Sequence, residues 1–506
     1  MSSEILLMTF LKTLDIPKND NTFTMKTTRL LLLVSLSLFF TNCSSDSSND
    51  PQTDPVVQTD DDPVTTTDDD PVVQLSSAKD LISFTVVQAD NPTLKIDADI
   101  QQSGNTLKVF FPFGTDIANL VVSFQVSDKA ILKLGDNTLT SGDSAIDFSV
   151  GFNLTVEAED GSTQTYSVSQ ESSFAALDAA IQQVMTDNNA PSMQLAITKD
   201  EKLVYQAQYG YADLNSTEMV TDDSVYRLAS VSKTITAVTI LKMAQDGLLD
   251  FNDTVFGTNG ILGMDFGTPP YKTNIENITV RHLLDHTSGF TNTPNDPFFV
   301  NENWSLQQLI DDVLDNRELA TVPGETYYYS NFGYCILGRI VEKLSGMTYE
   351  NYVKQNILLP LGITEMNIAK SSINEKLPNE VEYLGQENFG AYQYNAERID
   401  ALGGWTASAT DLAKLMVGID RKAGVPDIIN TDVMSGMYFE FPEWTFWGSL
   451  PGTSSVIYRL GEEFTFTIVT NTRVIPITLN QTMMDAMREQ VLARTSWPAY
   501  DLFQAE

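Results

Sequence analysis

The most confining stretch of this chain is a helix without a polar face. From Ala229 to Gly247 it reads Ala-Ser-Val-Ser-Lys-Thr-Ile-Thr-Ala-Val-Thr-Ile-Leu-Lys-Met-Ala-Gln-Asp-Gly. Ala229, Val231, Ile235, Ala237, Val238, Ile240, Leu241 and Ala244 surround it with apolar surface, and a helix apolar all round lies in an interior. Its threonines and β-branched residues are poor helix formers, so tertiary packing has to hold it. Gly247 is the expected stop.

Ser230 and Lys233 stand one turn apart on this helix and share a face. A serine hydroxyl is a weak nucleophile until a neighbouring base takes its proton. A lysine becomes such a base when burial lowers its pKa. The pair is therefore a candidate nucleophile and base. Ser-x-x-Lys also recurs by chance, so its weight depends on the motifs that accompany it further along the chain.

At 506 residues the chain exceeds one ordinary core, and two or three folded units are expected. A formal net charge of −37 excludes a general nucleic-acid role, because phosphate binding needs a basic face. The two histidines, His282 and His286, share one short segment, so a zinc site built on several histidines is excluded. No metal and no other cofactor is implied.

The start of the chain reads as a processing signal. Met25-Lys26-Thr27-Thr28-Arg29 is basic, and the apolar run Leu30 to Phe40 is too short to span a bilayer. With Phe40-Thr41-Asn42-Cys43 it resembles a bacterial lipoprotein signal, although Asn42 replaces the usual small residue. The resemblance implies translation from Met25, a leader over 1–43, lipidation of Cys43 and attachment to a membrane through that lipid. Cys335 then has no partner and counts as a small apolar residue. Residues 44–78 hold nine aspartates and neither lysine nor arginine, a composition for an extended, disordered linker. An acidic run after a lipidated cysteine resembles surface-export signals. The expected location is the cell envelope, on the outer membrane, periplasmic or surface-exposed.

Residues 79–171 change to period two. Ile82–Val86, Leu107–Phe111, Leu120–Phe124, Phe152–Val156 and Thr165–Val168 read as strands, with Asp160-Gly161 as a hairpin turn. The expectation is an all-β sandwich resembling immunoglobulin-like modules, with a spacer role favoured over carbohydrate or partner binding. From 172 to 506 the pattern alternates. Hairpins at Met193–Tyr209 and Ser454–Val469 and helices at Phe174–Thr186 and Leu479–Ala493 predict a multidomain α/β (α+β) protein. Its last domain has an antiparallel sheet flanked by helices, with a helical subdomain between the hairpins.

Three further stretches accompany Ser230-Val231-Ser232-Lys233: the segment from Asn277 through His282-Leu283-Leu284-Asp285-His286-Thr287-Ser288-Gly289, then Pro323-Gly324 leading to Tyr329-Ser330-Asn331, then Gly403-Gly404-Trp405-Thr406-Ala407-Ser408. Together they resemble the serine β-lactamase and penicillin-binding-protein-like family. The likeness is strongest to its class C branch, which includes D-alanyl-D-amino-acid peptidases and family VIII esterases. The resemblance covers roughly residues 173–497. It implies acyl transfer through a Ser230 ester, with Lys233 and Tyr329 sharing the base and acid roles. A phenol lowered in pKa beside an ammonium would relay the proton, and Asn331 would bond the substrate amide and Lys233. His286 belongs to a structural segment in this family. The chain holds no Gly-x-Ser-x-Gly elbow, so an α/β-hydrolase triad around His286 is the lesser reading.

The last motif departs from the family. Phe446-Trp447-Gly448-Ser449-Leu450-Pro451-Gly452 stands where Lys-Thr-Gly or His-x-Gly is found, and Phe446, or Trp447 with a shift of one residue, takes the place of the cation. The Ser449 N–H would still join that of Ser230 around an oxyanion, with Gly448 beside them. The expected substrates are small esters or amides, with neutral short-chain esters preferred over carboxylate-bearing ones. Peptidoglycan-derived substrates, with D-alanyl peptidase or β-lactamase activity, are the alternative. A catalytically silent cell-wall or partner-binding protein is the reading from another class.

Overall fold

The structure, a computed structural model, describes residues 74–505 apart from 172–173, 302, 386–389 and 477. The leader, Cys43 and nearly all of the acidic stretch lie outside the described residues.

The period-two block forms a six-stranded sheet. Its order is Asp99–Ser103, Thr106–Phe110, Thr163–Gln170, Phe152–Glu157, Ile131–Leu134 and Asn137–Thr138. Thr106–Phe110 and Thr163–Gln170 run parallel, and the other neighbours are antiparallel. Two small sheets, Leu81–Thr85 with Ser123–Val126 and Leu120–Val121 with Ala145–Ile146, share its core through Leu81, Phe84, Leu120 and Ile146. The expected strand Leu120–Phe124 breaks at Val122, whose N–H bonds Ser144 O at 3.0 Å instead of continuing one ladder. Asp99–Ser103, Ile131–Leu134, Asn137–Thr138 and Ala145–Ile146 were not anticipated. They are short, and Asp99–Ser103 and Asn137–Thr138 are polar, so alternation gives them no signature.

The second part is built on a five-stranded antiparallel sheet ordered Lys202–Gly210, Ser192–Lys199, Phe464–Thr470, Thr453–Leu460 and Trp444–Leu450. The two predicted hairpins thus meet at its centre. Helices Ala175–Asp187 and Leu479–Ala493 cover one face through Leu177, Ile181, Leu479 and Met483. Helix Ala409–Val417 lies on the other, toward a large core that encloses Ser232–Gln245. That helix is buried from Ser232 to Leu241, as its composition demands, and Asp246 and Gly247 (φ 73°) end it. Around it stand helices Val280–Leu284, Leu306–Asn316 and Asn331–Ser345, with a three-stranded sheet of Tyr226–Arg227, Trp405–Ala407 and Asn367–Ile368.

A buried guanidinium ties this sheet to its surroundings. Arg227 is 1% exposed. Its Nε donates to Glu380 at 3.1 Å, and its Nη atoms donate to the carbonyls of Ala391 and Lys370 and to Tyr394 OH. Three tyrosine rings, Tyr383, Tyr392 and Tyr394, lie within 5.4 Å of Cζ. Burying a charge is tolerable when each guanidinium nitrogen has a partner, as here.

The closing segment links the two parts. Trp497 O accepts from Gln101, Ala499 N donates to Asp99, and Tyr500 OH donates to Phe111 O. The same segment bonds the sheet edge, since Asp501 accepts from Leu203 N at 3.0 Å and Ala499 O accepts from Lys202 at 3.0 Å. Phe113 packs edge-on against Tyr205 and Tyr209.

Candidate active site

Ser230 sits not inside the α-helix but in the 3-10 turn Ala229–Val231 that leads into it. Ala229 takes a left-handed φ of 48°, a conformation costing a non-glycine residue roughly 1–3 kcal/mol. Its neighbours hold it there. Leu228 N donates to Trp405 O at 2.8 Å, and Leu228 O accepts from Ser455 Oγ at 2.6 Å. The strand Trp444–Leu450 presses so close that a Cβ on Gly448 would lie 2.0 Å from Leu228 O. Glycine is required there by contact, not by conformation.

Three predicted side chains converge. Tyr329 OH donates to Ser230 Oγ at 2.8 Å, and Lys233 Nζ lies 3.3 Å from the same oxygen. Lys233 Nζ also donates to Leu402 O at 2.6 Å and sits 4.9 Å from the centre of the Tyr329 ring. Lys233 is fully buried. Desolvation pulls its pKa from the usual lysine range down to about 7, outweighing the opposing pull of Asp296. Its amine is thus about half neutral near pH 7 and increasingly neutral above it. Tyr329 moves the other way from expectation. Burial raises its pKa, against the lowering effect of its bond to Ser230. A lysine desolvated enough to lose its proton supplies no lasting ammonium to acidify the phenol.

Asn331 begins the helix Asn331–Ser345, capped by Ser330, whose Oγ accepts from Gly333 N at 3.1 Å. Its expected partner is corrected. Asn331 Nδ2 donates to Asp296 rather than to Lys233, and Oδ1 is buried without a hydrogen-bond partner. The carboxylate oxygen accepts from the amide nitrogen, which sets the orientation of the amide.

Both histidines are structural in this geometry. His282 closes a capping box with Thr279. His286 Nδ1 accepts from Ser330 N at 3.1 Å, and its ring lies 4.7 Å from that of Tyr329. Burial, and then the Lys233 charge, push its pKa down to about 3, so it stays neutral at working pH. It positions the Tyr329 turn and has no bond to Ser230. Cys335 is a buried free thiol, pushed up to about 12 by desolvation.

A cleft of about 350 Å³ opens on Ser230, bordered by Asn331, Gly403 and Ser449. Phe299, Ile399, Leu402, Leu450 and Pro451 give it an apolar wall. Ser449 belongs to the edge strand, which pairs on one side with Thr453–Leu460 and, among the described residues, has no strand on the other. Phe446 packs toward the core around the central helix, while Trp447 packs toward the opposite layer. Arg473, three residues beyond the last strand, also lines the cleft. Asp296, Leu402 and Arg473 were missed from the sequence. Leu402 had a signal, being next to the quoted Gly403-Gly404-Trp405. Asp296 and Arg473 had none.

Residues 177–474, more than half of the chain, match the family described as Beta-lactamase, and residues 81–169 match one described as SGBP, N-terminal. Penicillin-binding protein 4* of Bacillus subtilis (strain 168) is 34% identical over 175 residues, 33% of this chain and 35% of that one. Protein flp of Staphylococcus aureus (strain NCTC 8325 / PS 47) is 29% identical over 207 residues, 40% of this chain and 39% of that one. The chain therefore spans well under half the length of these relatives. The D-amino acid amidase of Ochrobactrum anthropi SV3, solved with L-phenylalanine amide, superposes with a TM-score of 0.51 at 20% identity, over 63% of this chain and 98% of that one. The octameric penicillin-binding protein homologue of Pyrococcus abyssi gives 0.51 at 22%, over 66% and 79%. The long match over the domain that carries Ser230, Lys233 and Tyr329 places the chain in the β-lactamase family.

Proposed function

We propose that the chain is a serine hydrolase that transfers an acyl group from a small amide or ester to Ser230 and then to water. One observation carries this reading: a buried lysine and a tyrosine both reach the oxygen of one serine at the floor of an open cleft. Lys233 Nζ takes the Ser230 proton as Oγ bonds to the carbonyl carbon. The N–H groups of Ser230 and Ser449 receive the developing oxyanion. As the carbonyl reforms, the bond to the leaving group breaks, and Tyr329 OH gives that group its proton while Lys233 returns one to the phenol. Water then attacks the ester carbonyl, its proton passes to Lys233, and the acid leaves as Oγ regains a proton.

The Bacillus relative, named a penicillin-binding protein, and the D-amino acid amidase support an amide-type or peptidoglycan-derived substrate, beside the ester expected from the altered last motif. The lipid on Cys43 rests on residues 25–46, and the envelope location on these and the acidic run that follows. The module at 79–171 is taken as an immunoglobulin-like spacer, resting on its alternating strands. A serine-directed acylating probe, read by mass spectrometry, should label Ser230. Ser230→Ala should lose the label and about three orders of magnitude or more in turnover. A label on another residue, or full turnover by Ser230→Ala, would overturn the assignment.

A further inference from the structure

The helix Leu479–Ala493 carries an amide where its other buried residues are apolar. Leu479, Met483, Met487 and Val491 pack against the sheet, and Asn480 is fully buried beside them. Its Nδ2 donates to Gly448 O at 3.0 Å and to Ser455 O at 2.8 Å, two residues that oppose each other in neighbouring strands. Its Oδ1 is buried with no hydrogen-bond partner among the described residues. A buried acceptor left unmet costs stability. A leucine there would cover the sheet without that cost, so what the amide adds is a donor on these two carbonyls.

Gly448 O belongs to the same planar peptide as the Ser449 N–H. In a trans peptide the two point in opposite directions. A donor that holds the carbonyl therefore holds the N–H facing away from it, and Ser449 lines the cleft with Ser230. The same strand is braced from its other face. Ser455 Oγ donates to Leu228 O at 2.6 Å, and Gly448 leaves no room for a Cβ against that oxygen. Leu228 belongs to the core around the central helix, and Leu479 to the core on the opposite face, so the peptide is gripped between two layers. A hydrogen bond to the carbonyl also polarises the amide and makes its N–H the stronger donor.

We infer that Asn480 orients and polarises the Gly448–Ser449 peptide so that its N–H serves as an oxyanion donor. This rests on the reading of Ser230 as the acyl acceptor, with the Ser449 N–H beside it. Orientation counts because such a donor works by being fixed before the charge develops. Asn480 does not line the cleft and does not touch the proton path of Lys233 and Tyr329. It is a positioning residue that acts through one peptide plane.

The test compares a neutral ester with its thionoester, in which sulfur replaces the carbonyl oxygen. Sulfur is a weak acceptor, so the thionoester draws little help from oxyanion donors. Asn480→Leu should lower kcat/KM for the ester about tenfold, short of the roughly two to three orders of magnitude that follow loss of an oxyanion donor outright. The thionoester should change little. A ratio of two substrates on one preparation does not depend on the folded fraction. Asn480→Ala, which adds no bulk, gives the same comparison where leucine cannot pack. Equal losses on both substrates, or no loss on either, would overturn the inference. A slowly deacylating ester with an isotope-labelled carbonyl gives a second readout by infrared spectroscopy. The stretch of the carbonyl bound to Ser230 should rise in frequency in Asn480→Leu, as its hydrogen bond from Ser449 weakens. An unchanged frequency refutes the inference and leaves the hydrolase reading intact, whereas no acyl group on Ser230 in the wild type sinks both.

Discussion

The two edges of the five-stranded sheet are treated in opposite ways. An unpaired strand edge presents bare N–H and C=O groups and is a liability unless it is covered. At Lys202–Gly210 the chain covers it. The closing segment bonds Lys202 and Leu203 through Ala499 and Asp501, and the β-rich module adds Phe113. At Trp444–Leu450 no further strand is added among the described residues, and Gly448 brings the backbone against Leu228, next to Ser230. One edge is closed for stability, and the other is kept open as a wall of the cleft. Changes near the open edge should register in activity, and changes at the closed edge in stability.

The sharpest test of the open side is the proton path that works beside it. Lys233→Ala and Tyr329→Phe should each lower turnover by roughly two orders of magnitude, with a double variant little worse than either. The wild-type kcat/KM should rise with pH to a plateau above about 7, following the loss of the Lys233 proton, and Lys233→Ala should abolish that limb. Stability has its own sign. Between about 7 and 10.5 the unfolded chain holds a proton on this lysine that the folded chain releases, so stability should climb with pH across that window. A flat profile in denaturant titrations at pH 7 and 9, once Lys233→Met is subtracted, would contradict the buried amine.

Gly448→Ala comes next. Its Cβ has to displace Leu228 O or Ser455 Oγ, since they lie 2.0 and 2.2 Å away. About 1–3 kcal/mol of stability should be lost. Activity should fall at least tenfold as the Ser230 turn moves, and wild-type kinetics would show that the edge is not part of the site. At the closed edge Asp501→Ala should cost about 1 kcal/mol by removing the partner of Leu203 N, with kcat unchanged. A drop in kcat there would erase the distinction between the edges. The smallest effect is expected from Phe446→Lys. It should raise preference for a carboxylate only a few-fold and leave ester turnover unimproved, and faster ester turnover in the variant would show that the apolar side chain does not set the preference.

Local pattern made much of this legible. The all-apolar helix told that it would be enclosed, and the two hairpins told of a sheet assembled from distant segments. Ser230, Lys233, Tyr329 and Asn331 could be named as candidates because the motifs sit at fixed spacings in the chain. The parts that were not legible depend on what tertiary structure brings near. Tyr329 was expected to be acidified by a charged Lys233, but the sequence does not reveal how completely that amine is desolvated. Asn331 was expected to bond Lys233, yet its Nδ2 is held by Asp296, thirty-five residues upstream, and the lysine amine donates to Leu402 O, leaving Asn331 Oδ1 without a partner. Arg473 reaches the cleft because the last strand ends beside it, which no periodicity announces. In the β-rich module, strands as short as Asn137–Thr138 are defined by their partners alone.

The Arg227 cage has a consequence for the order in which the chain acquires its activity. Its partners at Lys370, Glu380, Ala391 and Tyr394 lie 143 to 167 residues further along. The Ser230 turn follows Arg227 by three residues, so the turn takes shape only once that long loop has closed. Contacts of such separation form late, because chain entropy is lost before they repay it. During refolding, far-ultraviolet helix signal should therefore return ahead of hydrolysis. A nascent chain would carry Ser230 and Lys233 for more than a hundred residues of synthesis before they meet as a working pair.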